Sequence, residues 1–213
     1  MKKLLILNNI VQKNSRQIFY DNISFEIEKG ELIYLEDNSD SNLFKIISGQ
    51  SKFQQGSIFL NGTNLSESSL RLKISHVLDY KKLPNKISLN NYLNYCGRLK
   101  SVSKKESDDK LIPLIHYFGL ESELFNKIFK LNQLQKFCVT LFVALLNQPE
   151  LILIEIDFAE FSNEETIKAI SYINDLNKTG KTFIVKLKDI SLFEKFQQLN
   201  FSKNIKIVNG VVL

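Results

Sequence analysis

The sequence predicts an α/β protein with an antiparallel β-subdomain, a parallel-sheet core and a helical insert. Three observations lead to this fold class. Leu32–Leu35 is wholly apolar, which is typical of a strand covered on both faces. Ile23–Ile27 alternates apolar and polar residues, which is typical of a strand with one exposed face. From Leu151 onwards, strand and helix patterns alternate. We expect one domain over residues 1–213, with the helical insert at about 87–135.

The first third of the chain is predicted to be rich in strands. Its strands are expected at Leu4–Ile10, Ile23–Ile27, Leu32–Leu35 and Gly56–Gly62, the last ending at an Asn-Gly turn. A short helix is expected at Leu43–Ile47, where Ser48 and Gly49 stop it.

The middle third is predicted to be helical, and the last third to alternate. Helices are expected at Leu89–Lys100, Leu111–Phe118 and Leu131–Leu146, the last apolar on most sides and therefore buried. Asn163–Leu176 is a further helix, with two glutamates in its first turn, where the helix dipole favours them. The other elements are strands at Leu151–Ile156 and Thr182–Leu187, a helix at Ile190–Leu199 and a closing hairpin at Ile205–Val212.

Composition narrows the classes of function. No run approaches the ~20 apolar residues that a membrane span needs, and the start of the chain lacks a secretion-signal pattern, so we expect a cytoplasmic protein. The net charge of +5 favours anionic partners, but lysines occur throughout the chain, so no specific nucleic-acid site is predicted. Cys96 and Cys138 lie far apart and predict neither a disulfide framework nor a zinc site.

Several segments, and the distances between them, resemble the nucleotide-binding domain of ABC transporters along almost the whole chain. Ile23–Glu31 resembles the lead-in to the family's phosphate loop, and Gln55–Gly62 resembles its G-x-I-x-x-x-G hairpin. Asn147–Leu153 resembles the segment before the Walker B aspartate. Lys73–Lys86 resembles the FtsE-type cell-division branch, although lipoprotein-export ATPases share that stretch. The resemblance implies a P-loop NTPase-like fold, with ATP and Mg²⁺ as the family's cofactor.

The segment in the place of the phosphate loop lacks the residues that such a loop needs. A phosphate loop uses glycines to expose backbone N–H groups, a lysine to reach the phosphates and a serine or threonine for Mg²⁺. Here the chain reads Glu36-Asp37-Asn38-Ser39-Asp40-Ser41-Asn42, with no glycine and no lysine. The carboxylates of Glu36, Asp37 and Asp40 would repel a triphosphate.

The other positions that the resemblance assigns to nucleotide chemistry also differ from the family pattern. The Mg²⁺-linked glutamine aligns with Leu78, and the signature serine with Asn132. The Walker B aspartate aligns with Glu155, the catalytic glutamate with Ile156, and the switch histidine with Lys188. We therefore predict no catalytic, cofactor-binding or metal-binding residues, and interpret the chain as a pseudo-ATPase.

The resemblance also implies a surface for a membrane partner. In the family, two ATP-binding subunits lie beneath two membrane subunits, and a groove beside the helical insert holds a short helix of the partner. The resemblance places Leu78, Asp79, Tyr80, Leu83, Tyr92 and Tyr95 in this groove. Tyrosine and leucine side chains could anchor an apolar helix, or they could pack the insert's own core.

The resulting hypothesis is a non-hydrolysing scaffold held at the inner face of the membrane by an FtsX-like partner, in cell division or envelope maintenance. Two other hypotheses stay open. One is an ATP-binding subunit that keeps nucleotide binding or works with an intact ATPase partner. The other is a basic, nucleic-acid-associated regulator. A homodimer and a heterodimer are both compatible with the sequence.

We call the positions that the resemblance assigns to nucleotide chemistry the vestigial site, and a specific ion pair is expected there. In the family fold the strands that end near Glu155 and Lys186 are neighbours, so their carboxyl ends face one pocket. Acidic side chains facing an empty pocket would be unpaired, which is costly. We predict that Lys186 or Lys188 pairs with Glu155 or Asp157, at roughly 4 Å or less between charged atoms.

Overall fold

The computed structural model describes residues 2–37, 43–65, 73–77, 79–99, 104–188 and 198–213, without the side chains of residues 104–110. In these ranges the chain forms ten strands and five α-helices. The strands are β1 (Lys3–Lys13), β2 (Ile18–Glu28), β3 (Leu32–Asp37), β4 (Gln55–Leu60), β5 (Thr63–Asn64), β6 (Ile74–Val77), β7 (Leu151–Ile156), β8 (Thr182–Leu187), β9 (Lys203–Val208) and β10 (Val211–Val212). The helices are α1 (Leu43–Ile47), α2 (Leu89–Leu99), α3 (Lys104–Phe118), α4 (Gln133–Leu145) and α5 (Asn163–Lys178).

Strands β2, β1, β4 and β5 form an antiparallel sheet in that order. At its centre, Leu7 of β1 lies opposite Phe25 of β2 and Ile58 of β4, and all three side chains are buried. Gly56 is required at the start of β4, because a Cβ there would lie 2.5 Å from the backbone oxygen of Asn8. The predicted antiparallel β-subdomain is therefore present.

The second sheet has the order β10-β9-β3-β8-β7-β6 and is parallel except for β10. Strand β7 is covered on both faces. Ile152 and Ile154 pack in one core with residues of α4 and α5, while Leu151 and Leu153 pack in a second core with α1 and the antiparallel sheet. This arrangement explains the continuous apolar runs in the sequence. It also confirms the predicted α/β fold class with a parallel core.

The insert between β6 and β7 is tied together by two chain segments that run antiparallel, residues 85–90 and residues 124–129. The Leu89 N–H donates to the Asn126 carbonyl at 2.9 Å, and the Ile128 N–H donates to the Ile87 carbonyl at 3.1 Å. Among the described residues, no helix combines the length and apolar character needed to cross a membrane.

The helix bounds differ from the predicted ones where the chain is polar. Helix α3 begins at Lys104 rather than at Leu111, since its first turns contain no apolar residue from which a period could be read. Helix α4 begins after Asn132, which caps it, rather than at Leu131. The helix predicted at Ile190–Leu199 falls mainly outside the described residues.

Candidate functional site

The carboxyl ends of β3, β7 and β8 meet at one edge of the parallel sheet, where ligands usually bind in open α/β sheets. Charged residues gather at this edge because each strand there ends in, or is followed by, an acidic or basic residue. We call the following residues the strand-end cluster: Asp37, Asp79, Lys81, Asp157, Lys186 and Lys188. Two groups of contacts make up this cluster.

The first group surrounds Asp37, the last residue of β3. The Asp37 carboxylate is fully buried, with its side chain 0% exposed. The Tyr20 hydroxyl of β2 donates to Asp37 Oδ2 at 2.6 Å, and Lys186 Nζ of β8 lies 3.9 Å from the same oxygen. A buried carboxylate is stable only when it is paired and hydrogen-bonded, and this one is both. Its charge is thus compensated within the protein.

The second group joins three segments around Asp157, which follows β7. Lys81 Nζ lies 3.1 Å from Asp157 Oδ2 and 2.9 Å from Glu160 Oε1. Lys188 Nζ lies 3.3 Å from Asp79 Oδ2 and 4.0 Å from Asp157 Oδ2. The predicted pairing of Lys188 with Asp157 is confirmed at the limit of an ion pair. The shorter contacts made by Asp79 and Lys81 were missed by sequence reasoning.

The hydrogen bonds of Lys81 shift the protonation equilibria of this second group. Those to Glu160 and Asp157 raise the pKa of Lys81 above its ordinary value. Burial raises the pKa of Asp157, but the hydrogen bonds from Lys81 and from the Ala159 N–H outweigh burial and leave that pKa below its ordinary value. Lys81 and Asp157 are therefore both charged at neutral pH.

Aromatic packing fills the space beside the second group. Phe158 and Phe161 stack with ring centroids 4.3 Å apart, and Phe137 of α4 packs edge-on against Phe158 at 5.1 Å. The Tyr80 ring packs against Phe161 at 5.5 Å. The cavity lined by the rings of Tyr80, Phe137 and Phe158 and by the charged side chains Asp79 and Lys188 measures about 10 Å³, which is room for about one water molecule.

His76 of β6 lies near the carboxyl end of its strand and packs edge-on against Phe44 of α1, with ring centroids 5.6 Å apart. Burial lowers the pKa of His76 below 6.5; the nearby Glu155 carboxylate opposes this shift, and the Lys45 ammonium adds to it. Sequence reasoning missed the proximity of His76 to Glu155, because it interpreted Glu155 only as a Walker B position.

The other predicted residues of the vestigial site have separate structural roles. Glu36 forms an ion pair of 2.7 Å with Lys206 of β9. Ile156 is buried in the core. The Asn132 side chain caps α4 by accepting from the Gln135 N–H at 2.8 Å, and the Gln135 side chain accepts from the Asn132 N–H. Two further predicted residues, Asp40 and Leu78, lie outside the described residues.

Three of the five described residues of the predicted partner groove belong to the core. Tyr80, Leu83 and Tyr92 are all buried, and the Tyr80 hydroxyl donates to the Asp157 carbonyl at 3.2 Å. Burial raises the pKa of Tyr80 to about 12. Asp79 is held in its ion pair with Lys188, and Tyr95 alone of the described groove residues has a largely exposed side chain. The expectation that these tyrosines and leucines offer a free surface is therefore wrong for three of them.

Exposed apolar side chains lie elsewhere on the insert. Phe125 is 87% exposed and Phe129 is 54% exposed, and both lie on the segment that pairs with residues 85–90. Ile87 and Tyr95 are also exposed. We call these four residues the insert surface. Sequence reasoning named Tyr95 but passed over the other three, because an apolar residue in a short connecting segment has no period that shows which way it points.

Comparison of the sequence with known proteins finds a matching family and several similar proteins. The sequence pattern of the family described as "ABC transporter" matches residues 20–155, more than half of the chain. The "Cytochrome c biogenesis ATP-binding export protein CcmA" of Reclinomonas americana is 31% identical over 126 residues, which cover 58% of this chain and 56% of that protein. The chain thus spans little more than half the length of this relative.

Two further proteins are similar over a greater length. The "Putative hemin import ATP-binding protein HrtA" of Staphylococcus aureus is 26% identical over 205 residues, which cover 89% of this chain and 90% of that protein. The structure of cbiO1 of Clostridium perfringens, part of the ABC transporter complex cbiONQ, has a TM-score of 0.86 at 17% identity and covers 100% of this chain and 88% of that chain. At this identity, the likeness shows a shared fold alone.

Proposed function

This chain belongs to the ATP-binding domain family of ABC transporters, and from that premise we propose that it is a pseudo-ATPase subunit, which docks on a membrane permease-like partner without hydrolysing ATP. Its fold is that of the family's P-loop NTPase-like domain. The proposal has two parts, the loss of nucleotide chemistry and the retention of a partner surface, and each rests on a different region.

The observation that carries the first part is the internal compensation of Asp37. This residue lies in the segment that aligns with the phosphate loop, where a triphosphate would need donors and positive charge. Instead, a buried carboxylate occupies the end of β3, and the Tyr20 hydroxyl and the Lys186 ammonium are engaged with it. These residues do not fit Mg-ATP, because the carboxylate repels phosphate and the nearby cation is already paired.

The second group of contacts supports the same interpretation. Lys188, at the position of the switch histidine, and Lys81 both form ion pairs with Asp157, so the acidic side chain beyond β7 is compensated by cations of the protein itself. The rings of Tyr80, Phe137 and Phe158 line a cavity of about 10 Å³. A phosphate group could not enter without a rearrangement of this packing.

The insert surface supports the second part. Phe125 and Phe129 are large aromatic side chains left in water, and such residues are enriched where partners bind. They lie on the insert, beside which the family holds the coupling helix of its membrane subunit. We infer that an apolar helix of a permease-like partner covers them and that this contact keeps the chain at the inner face of the cell membrane.

The identity of the partner is a finer proposal. An FtsX-like protein and a role in cell division or envelope maintenance rest on the stretch Lys73–Lys86 alone. The processes named for the relatives, cytochrome c biogenesis and hemin import, point to other membrane partners for the same surface.

Membrane fractionation tests the docking. The double variant Phe125→Asp/Phe129→Asp is expected to move from the membrane fraction to the soluble fraction with an unchanged melting temperature, because both side chains are exposed. Ile167→Asp on α5 is the matched control, since Ile167 is also exposed but lies outside the insert. If the double variant stays with the membranes as the wild type does, the docking surface is wrong.

A second candidate function is an ATP-binding subunit that retains nucleotide, alone or with an intact ATPase partner. The observation that favours it is that the relatives themselves are named as ATP-binding proteins. Nucleotide titration separates the two functions, since only the second predicts saturable binding of Mg-ATP.

A further inference from the structure

A cavity of about 350 Å³ lies between the loop that follows α1 and the β4–β5 hairpin. None of its lining residues belongs to the strand-end cluster or to the insert surface. Its size is within the range of about 300–1,000 Å³ that is typical of small-molecule sites. We propose that this cavity binds a small monocarboxylate with an apolar chain of medium length.

The inner wall of the cavity is apolar. Ile46 of α1, Ile58 of β4 and Leu65, which follows β5, line it and are buried in the core shared with the antiparallel sheet. Phe53 lines it as well and packs partly buried against the same core. An apolar chain that enters this cavity would exchange contact with water for contact with hydrocarbon and aromatic side chains. This transfer favours binding in proportion to the apolar area buried.

The described part of the cavity's opening is polar and carries a positive charge. The exposed residues Gln50, Lys52 and Asn64 line it, together with the partly buried Ser51. Lys52 is the sole charged residue among the described residues that line the cavity. An apolar wall beneath a single cation is complementary to a ligand with an apolar body and one negative charge at its end. A carboxylate meets that requirement, and an ammonium would be repelled.

The inference is independent of the proposed function, because it concerns other residues and another ligand. Titration of the full chain with octanoate, below its micelle concentration and followed by NMR, tests it. Saturable binding is expected, and the largest changes in NMR chemical shift should occur at Phe53 and Lys52. In the series hexanoate, heptanoate, octanoate, the affinity should rise about fourfold with each methylene until the cavity is filled.

The charge requirement is tested by Lys52→Gln. This variant should bind octanoate about tenfold more weakly, because it loses a charge-assisted contact, and should bind octanol as the wild type does. Lys168→Gln on α5 is the matched control, an exposed lysine outside the cavity, and should leave octanoate binding unchanged. Absence of saturable octanoate binding to the wild type would overturn the proposal, as would equal octanoate affinities of the wild type and Lys52→Gln.

Discussion

The strand-end cluster and the insert surface use their side chains in opposite ways. At the strand ends, charged residues pair with one another, and the cavity beside the second group of contacts measures about 10 Å³. On the insert, Phe125 and Phe129 point into water without a covering layer among the described residues. Charges are thus compensated within the protein at the strand ends, while large apolar side chains are exposed on the insert.

The largest expected effect is a difference in unfolding free energy between substitutions at buried and at exposed positions of the insert region. Leu83→Asp places a carboxylate in a position that is 4% exposed and is expected to cost about 4 kcal/mol or more of unfolding free energy. Phe125→Asp should change this free energy by about 0.5 kcal/mol or less, because the side chain is exposed. Urea denaturation of both variants gives the two values. Similar losses of stability would break the distinction between core and docking surface.

The next effect tests the compensation of Asp37. Lys186→Met removes the cation beside a buried carboxylate and should destabilise the fold by about 2–3 kcal/mol, since the Asp37 carboxylate loses its ion pair while it stays buried. The matched control is Lys178→Met, because Lys178 pairs with Asp175 on the exposed face of α5. It should cost about 0.5 kcal/mol or less. Equal costs would mean that Lys186 does not stabilise the strand ends.

A smaller effect is expected at Lys188. Lys188→Ala should cost about 1 kcal/mol, because its contacts with Asp79 and Asp157 are partly exposed and screened by solvent. Lys168→Ala on α5, an exposed lysine outside the cluster, should be near neutral. Added salt should shrink the difference between the two variants, which chemical denaturation with urea at low and high ionic strength can measure. A difference that is absent at low salt would count against an ion-pair network here.

The smallest expected effect concerns pH. The folded pKa of His76 lies below 6.5, chiefly because of burial, so between the two values the unfolded chain binds more protons than the folded chain. The contribution of the neutral His76 side chain to stability is therefore fully present above pH 6.5 and is lost as the pH falls through the folded pKa. The urea midpoint should drop between about pH 7.5 and pH 5.5. His76→Asn should flatten this dependence. The same slope in the variant as in the wild type would assign the titration to other groups.

Much of the fold could be predicted because both faces of the central strands are buried. Leu32–Leu35 and Leu151–Ile154 are apolar throughout for that reason, and their pattern needs no tertiary information. The ends of helices were harder to predict. Asn132 was interpreted only as a degenerate signature position, although Asn132 followed by Gln135 is also a capping box, and the structure has it as a helix cap.

Contacts in the candidate site could be predicted only between residues that follow adjacent strands of the sheet. Lys188 and Asp157 follow adjacent strands, so their pairing could be inferred from topology. Lys81 comes from a segment that reaches Asp157 through packing between the insert and the core, which no local pattern reveals. The direction of Tyr80 and Leu83 was equally hidden, because resemblance aligns positions along the chain and does not show which side chains are covered.

Calorimetric titration of the purified chain with Mg-ATP tests the central claim most directly. The ligand would be raised to about 5 mM, enough to occupy most of a site with a Kd of about 1 mM. The pseudo-ATPase account predicts no saturable heat, because Asp37 and its partners occupy the strand ends where the phosphates would bind. A saturable isotherm with one nucleotide per chain would contradict it.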